Sequence, residues 1–223
     1  MNSKTVILIA GKIYPEYFNN FLEQYKDIEN KIASIWDNED EFYVNLLILH
    51  KFNVIKTNIK FQESYTAQFI PIYNGIKIAK QNGYDIILRT RFDVLSYDYK
   101  KYLEKTEYLY RDKITVICGI QTSTIYFLDL ITIGPIDKMY LMYLLQYKND
   151  NRYPEQFLME TYSNKTNLKK HDILDIFHFS LDICIENNIE FIWYRPDCWK
   201  REGITIPDMK VINEYCKSDF IWK

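Results

Sequence analysis

The sequence predicts an α/β fold, with an open, mostly parallel central sheet and helices on both faces. Three observations carry that prediction. Short runs apolar at every position, Val6–Ala10 first among them, alternate with segments of helical spacing. A strand apolar on both sides belongs in a sheet covered on both sides. The alternation recurs through the first 95 residues, which is the βαβ rhythm of a parallel sheet. Finally, a chain of 223 residues, 48% hydrophobic and 26% charged, is long enough for one sizeable domain and too short for two full ones.

The elements follow in order. Val6–Ala10 is a β-branched strand that ends at Gly11, and Tyr17, Phe18, Phe21, Leu22 and Tyr25 then repeat at helical spacing. Lys31–Trp36 reads as a second strand, closed by Asp37-Asn38-Glu39-Asp40, with a helix over about 41–51 and a third strand near Asn53–Thr57. Phe69, Ile72, Tyr73, Ile76 and Ala79 mark a helix within Ser64–Asn82, where Pro71 starts or kinks the helix and Gly83 ends it. Ile86–Leu88 opens a fourth strand that runs into Arg89-Thr90-Arg91-Phe92-Asp93. The rhythm then weakens, so an antiparallel edge or insertion is expected after residue 100. Lys100–Arg111 is a helix or loop, Ile114–Cys118 a strand and Thr124–Ile133 a long β-branched run. Asp137–Tyr147, Pro154–Tyr162 and Asp172–Asn187 read as helices, and Glu190–Tyr194 as a last strand. With no repeat, linker or composition break, residues 1–223 are expected to form a single domain.

Composition excludes several function classes. A net charge of −2 leaves no overall basic footprint for nucleic acid. Six Gly and six Pro exclude a low-complexity array, and 20 Tyr beside abundant Ile, Asn and Lys look like an AT-rich coding bias. The four cysteines form no CxxC pair and are expected to stay reduced. No apolar run reaches the length of a membrane span or a signal core. A cytoplasmic protein without a membrane or nucleic-acid partner is the expectation.

The chemistry concentrates after the fourth strand. Alternation would put Arg89, Arg91 and Asp93 on one face and Leu88, Thr90 and Phe92 on the other. Three charges on one face of an interior strand are costly unless they pair or meet a charged ligand. Their place, at the strand's carboxyl end, is where such sheets bind ligands. Asp93 could hold a divalent cation and the arginines could fork onto a diphosphate. The competing reading is a structural Arg–Asp pair. His171, Asp175 and His178 are spaced to share one face of the expected late helix, as metal ligands or as ordinary residues of an amphipathic helix. Trp193, Tyr194, Trp199 and Trp222 are core residues or sugar-stacking faces.

The ILRTRFDV segment, behind a helix and an N-G-Y-D turn, resembles the R-x-D strand of glycosyltransferases with the GT-A fold. More closely it resembles the WavE-like lipopolysaccharide-synthesis family and related viral sequences. Ser34-Ile35-Trp36-Asp37 resembles that family's S-T-W segment, with Ile35 in place of Thr. Gln68 ahead of Gly75, Phe127-Leu128-Asp129 ahead of Ile133-Gly134, and Tyr153-Pro154-Glu155-Gln156-Phe157-Leu158 resemble its later motifs in order. The likeness runs from about residue 4 to 160.

The resemblance implies a GT-A-like, Rossmann-like domain, with a nucleotide-binding half over 1–95 and an acceptor-side half over 96–223. It implies transfer of a sugar from a nucleoside-diphosphate sugar to a hydroxyl acceptor, a glycan. The donor would meet Gly11, Lys12, Asp37, Gln68, Arg89, Arg91 and Asp93. For Gly11 a plain chain turn, and for Asp37 a cap on the next helix, remain alternatives. Asp93 would hold Mn²⁺ or Mg²⁺, although many GT-A enzymes carry D-x-D where this chain has Arg91-Phe92-Asp93. Glu155 or Asp129 would act on the acceptor hydroxyl as general base, Glu155 being equally an ordinary helix start. A sugar nucleotidyltransferase and a non-catalytic binding module are the rival functions.

Overall fold

The computed structural model describes residues 4–58, 67–117, 119–121, 125–127, 130–144, 154–166, 177–194, 204–206 and 221–222. Strand β1 (Thr5–Ala10) leads through a 3₁₀ turn (Pro15–Tyr17) into α1 (Phe18–Tyr25). β2 (Lys31–Trp36), α2 (Glu41–Leu49), β3 (Asn53–Thr57), α3 (Phe69–Gln81) and β4 (Ile86–Thr90) follow. After them come β5 (Val94–Leu95), α4 (Tyr99–Tyr110), β6 (Ile114–Val116), β7 (Gly119–Gln121), β8 (Ile125–Phe127), β9 (Thr132–Pro135) and α5 (Ile136–Tyr143). α6 (Pro154–Thr166), β10 (Phe177–Phe179), α7 (Leu181–Glu186), β11 (Phe191–Trp193), β12 (Ile204–Ile206) and β13 (Ile221–Trp222) complete the order.

Seven strands form the central sheet in the order β10-β6-β9-β4-β1-β2-β3. All neighbours are parallel except β9, which runs antiparallel to both β4 and β6. This is the mostly parallel α/β sheet with helices on both faces that the sequence predicts. Of the antiparallel edge or insertion expected after residue 100, the structure has the insertion: β9 lies inside the sheet, and two small antiparallel sheets, β12-β11-β5 and β13-β7-β8, are added. Alternating residues divide the core. Ile7, Ile9, Ala33, Ile35, Ile86 and Leu88 face α1, α2, α4 and α7, whereas Val6, Leu8, Ala10, Ile32 and Ile87 face α3, α5 and α6. Each buried aliphatic or aromatic side chain in these layers contributes about 1.5–3 kcal/mol.

Local chemistry sets the helix ends. Asp40, not Asp37, caps α2, its Oδ1 accepting from the Phe42 N–H at 2.9 Å, as a short acceptor at that position should. α2, α3 and α7 all end in the same backbone motif, with residues 51, 83 and 188 in the left-handed region and paired carbonyl acceptors behind them. Gly83 takes that conformation without penalty. Pro71 sits in the first turn of α3, where its missing N–H costs nothing.

The late helix expected over 172–187 is broken. Phe177–Phe179 is a strand paired in parallel with β6, and only Leu181–Glu186 is helical. His178 therefore lies on a strand, its Nε2 3.4 Å from Asp112 Oδ1. Its expected place on a shared helix face with 171 and 175 is not kept, and those two residues fall outside the described set. The β-branched run over 124–133 forms two separate strands, β8 and β9. Of the cysteines, Cys184 lies among the described residues, unpaired and buried, its thiol pushed up to about 12 by burial.

α3 lies unusually close to β1. A Cβ on Gly75 would stand 2.3 Å from Leu8 Cδ1, so the fully buried Leu8 side chain would have to shift within the core. Gly75→Ala is expected to destabilise the fold by about 1–3 kcal/mol through overpacking, measured by chemical denaturation. A second expectation concerns alkali. Burial pushes the Tyr99 phenol up to about 12 and raises Tyr25 and Tyr102 well above their ordinary value. In the unfolded chain these phenols ionise near pH 10, so the folded state keeps protons that the unfolded state loses. Stability should hold below about pH 10 and fall steadily from there toward pH 12. Urea titrations across that range check it, and Tyr99→Phe should flatten part of the slope.

Candidate functional site

The strand order reverses direction around β1: β2 and β3 lie to one side of it, and β4 returns to the other. Such a reversal leaves a crevice beyond the carboxyl ends of the two strands. The register pairs Ile9 with Thr90, so Arg91 leaves the sheet level with Ala10, one residue before Gly11. Asp37 and Asn58 are the first residues past β2 and β3 at the same edge.

The loop after β1 is built for this position. Gly11 has a φ of 118° with nothing within 4 Å of where a Cβ would be, so backbone conformation rather than crowding calls for glycine. Its N–H donates to Ser34 O at 3.0 Å. Lys12 is exposed, its Nζ 5.9 Å from the Tyr14 ring centre. The Ile13 N–H donates to Glu39 Oε1 at 3.2 Å, which pins this loop to the one after β2. Burial raises the Glu39 carboxyl above its ordinary value, while the Ile13 N–H and the nearby Lys12 oppose the shift. Glu39 was not singled out by the sequence. Its position in an acidic run looked like a solvated loop, and only the β1–β2 pairing brings Ile13 to it.

β4 ends at Thr90, and Arg91-Phe92-Asp93 is a turn, so strand alternation stops there. Leu88, Thr90 and Phe92 still share a face: Leu88 and Phe92 join one core layer and the Thr90 hydroxyl meets the Tyr99 hydroxyl at 3.0 Å. Arg89, Arg91 and Asp93 do not share the other. Arg89, 1% exposed, alternates with Ile87 toward α3, α5 and α6. Arg91 and Asp93 are drawn the other way, to Trp193.

Asp93 is 1% exposed and fully engaged. Arg91 forks onto it, Nε to Oδ1 and Nη2 to Oδ2, both at 2.8 Å. Trp193 Nε1 donates to Oδ2 at 3.1 Å, and the Tyr194 N–H donates to the Asp93 carbonyl at 2.7 Å. The Arg91 guanidinium lies 6.0 Å from the Trp193 ring centre. Tyr194 stacks on Tyr17 with ring centres 4.1 Å apart, which ties the end of β11 to the β1–α1 connection. A buried indole N–H needs an acceptor, the one signal in the sequence for the Trp193 contact. Oδ1 takes one donor and Oδ2 two, so a divalent cation at Asp93 would have one acceptor position left to it, beside the Arg91 guanidinium. Among the described residues no group of three His, Cys, Asp or Glu side chains converges on a metal position.

The remaining expected site residues are scattered. Asp37 is exposed at the carboxyl edge, its N–H donating to Thr57 O at 2.8 Å. Gln68 stands at the start of α3, half-buried and without a side-chain capping bond. Glu155 belongs to the first turn of α6, and Asp129 lies outside the described residues. No helix among the described residues is long and apolar enough to cross a membrane.

No family model matches the chain, and no curated protein matches it. Among solved structures it is similar to HddC from Yersinia pseudotuberculosis complexed with GMP-PN. The identity is 13% and the TM-score 0.41, over 61% of this chain and 79% of that one. It is also similar to a 4-diphosphocytidyl-2C-methyl-D-erythritol synthase from Anaerococcus prevotii, at 11% identity and a TM-score of 0.47, over 75% of this chain and 84% of that one. At these values the likeness carries no argument about chemistry.

The Asp93 geometry makes a definite prediction. Asp93→Ala removes the buried carboxylate to which the half-buried Arg91 and the Trp193 N–H donate. It should cost about 3–5 kcal/mol, read as a large drop in melting temperature. A melting temperature close to that of the parent would show the Arg91–Asp93–Trp193 contacts to be dispensable.

Proposed function

We propose that the chain is a nucleotide-sugar transferase. It would take a nucleoside-diphosphate sugar in the crevice between β1 and β4 and pass the sugar to a hydroxyl acceptor, a glycan. The observation that supports this reading is that the Gly11–Lys12 turn and Arg91 follow the carboxyl ends of two neighbouring parallel strands at the switch point of the sheet. Breaking the bond at the anomeric carbon leaves charge on the departing diphosphate. Preorganised cations at that spot lower the barrier because they need no reorganisation as charge develops. Arg91 is preorganised by its fork onto Asp93, and the adjacent Lys12 supplies a mobile second charge. Gly11 would let a base or ribose approach the backbone, with Asp37 and Gln68 bordering it. Arg89 would contribute its charge from beneath, through the sheet. Glu155 and Asp129 remain the proposed bases for the acceptor hydroxyl, and membership of the WavE-like group is part of the same proposal.

A second reading, a sugar nucleotidyltransferase, is favoured by the same open, cation-bearing turn after β1. In that case Lys12 would meet the triphosphate, and the attacking group would be a sugar phosphate.

A panel of labelled UDP-, GDP- and CMP-sugars, with and without glycan acceptors, and of NTPs with sugar phosphates, separates the readings. Sugar transfer or donor hydrolysis supports the first. Pyrophosphate release from NTP plus sugar phosphate supports the second, and binding without turnover supports a non-catalytic module. Arg91→Lys keeps the charge but loses the planar fork. Turnover should fall at least about tenfold for a diphosphate clamp; unchanged turnover would remove Arg91 from the site.

A further inference from the structure

α2 is short of a partner. Its sequence, Glu41-Phe42-Tyr43-Val44-Asn45-Leu46-Leu47-Ile48-Leu49, is apolar around most of the helix, a composition that belongs to a helix covered on all sides. Only Val44 and Leu47 are buried, with Tyr43 and Leu46 packed at the margin of the core. Phe42 is 62% exposed, Ile48 57% and Leu49 73%. Helical spacing puts Phe42, Asn45, Ile48 and Leu49 on one outward stripe, interrupted only by Asn45. Beside it runs β3, the outer strand of the sheet, with Val54 and Ile55 only half-buried.

The charges around the stripe indicate what covers it. The start of α2 is acidic, with Asp37, Asp40 and Glu41 exposed, Glu41 paired with Lys56 at 2.5 Å and Asp40 capping Phe42, whereas its end carries His50 and the exposed Lys51. A second copy of α2 laid antiparallel over the first brings each acidic start against the basic end of the other. With the two-fold axis between Asn45 and Leu46, Phe42 falls opposite Leu49 of the second copy. Glu41 falls opposite His50 and Asp40 opposite Lys51. The arrangement also sets each helix dipole against the reverse of the other. Two-fold dimers require this kind of self-complementary surface. The three exposed side chains alone present roughly 350 Å², close to half of the about 800 Å² that each partner covers in an ordinary stable interface.

We propose that the chain forms a homodimer through α2, packed antiparallel about a two-fold axis between Asn45 and Leu46, with the outer strand β3 alongside. Asn45 acts there as a register-setting polar residue in an apolar seam.

Sedimentation equilibrium of the full chain over a range of concentrations tests the proposal. A reversible monomer–dimer equilibrium is expected. Leu49→Lys should raise the dissociation constant at least about tenfold while leaving the melting of the dilute monomer unchanged, because Leu49 contacts solvent. Asn45→Cys places two thiols near the axis, so mild oxidation should yield a disulfide-linked dimer that reductant reverses and the parent chain does not form. A monomer at every concentration would overturn the proposal. So would a dimer indifferent to Leu49→Lys, or an Asn45→Cys variant that does not cross-link.

Discussion

Asp93 is a carboxylate with essentially no exposure to water, and the carboxyl end of the fold is organised around satisfying it. Its two oxygens take three donors, two from Arg91 and one from Trp193, and its own carbonyl takes the Tyr194 N–H. An ionised group so placed is tolerated only when its partners are fixed. That requirement joins the turn after β4 to β11, a strand of a different sheet, across a separation of 100 residues. Tyr194 carries the constraint on to Tyr17 and so to the connection between β1 and α1. The mouth of the crevice is therefore framed by parts of the chain that the buried charge holds together.

The same contacts define what Arg91 can offer a ligand. A guanidinium held flat by a bidentate carboxylate and lying near an indole ring has lost most of its rotamer freedom, so binding an anion costs little further ordering. Lys12, on an exposed loop, is the opposite case, a charge that must be ordered when used. Glu39 steadies that loop from its backbone through Ile13 rather than from the lysine itself. The proposed site would thus combine a cation held by its carboxylate partner with an exposed one.

Beneath the site, close packing keeps the sheet and α3 in register. Gly75 lets the helix approach Leu8 directly, and Gly134 does the same for β9 against the Ile114 backbone, where a Cβ would stand 3.0 Å from Ile114 Cα. These contacts hold the carboxyl ends of β1 and β4 at a set distance from the start of α3. Among the described residues the outer side of α2 leaves Phe42, Ile48 and Leu49 exposed.

The fold class was legible because β1, β2 and β4 are apolar at every position and are separated by helical spacing, and that pattern has few other solutions. Caps and stops such as Gly83 and Pro71 were legible because their backbone preferences act locally. The position of the crevice also followed from chain order, since ligands collect at the carboxyl ends of such strands. What the sequence left open depended on partners far away in the chain. Strand alternation grouped Arg89 with Arg91 and Asp93, but the strand ends at Thr90, and a turn has no alternating faces. Spacing alone did not reveal the structural partner of Asp93, Trp193, whose indole reaches it only once β11 lies against β5. Phe177–Phe179 became a strand for the same kind of reason: helical spacing was present, but the free edge of β6 supplied backbone partners that no local pattern records.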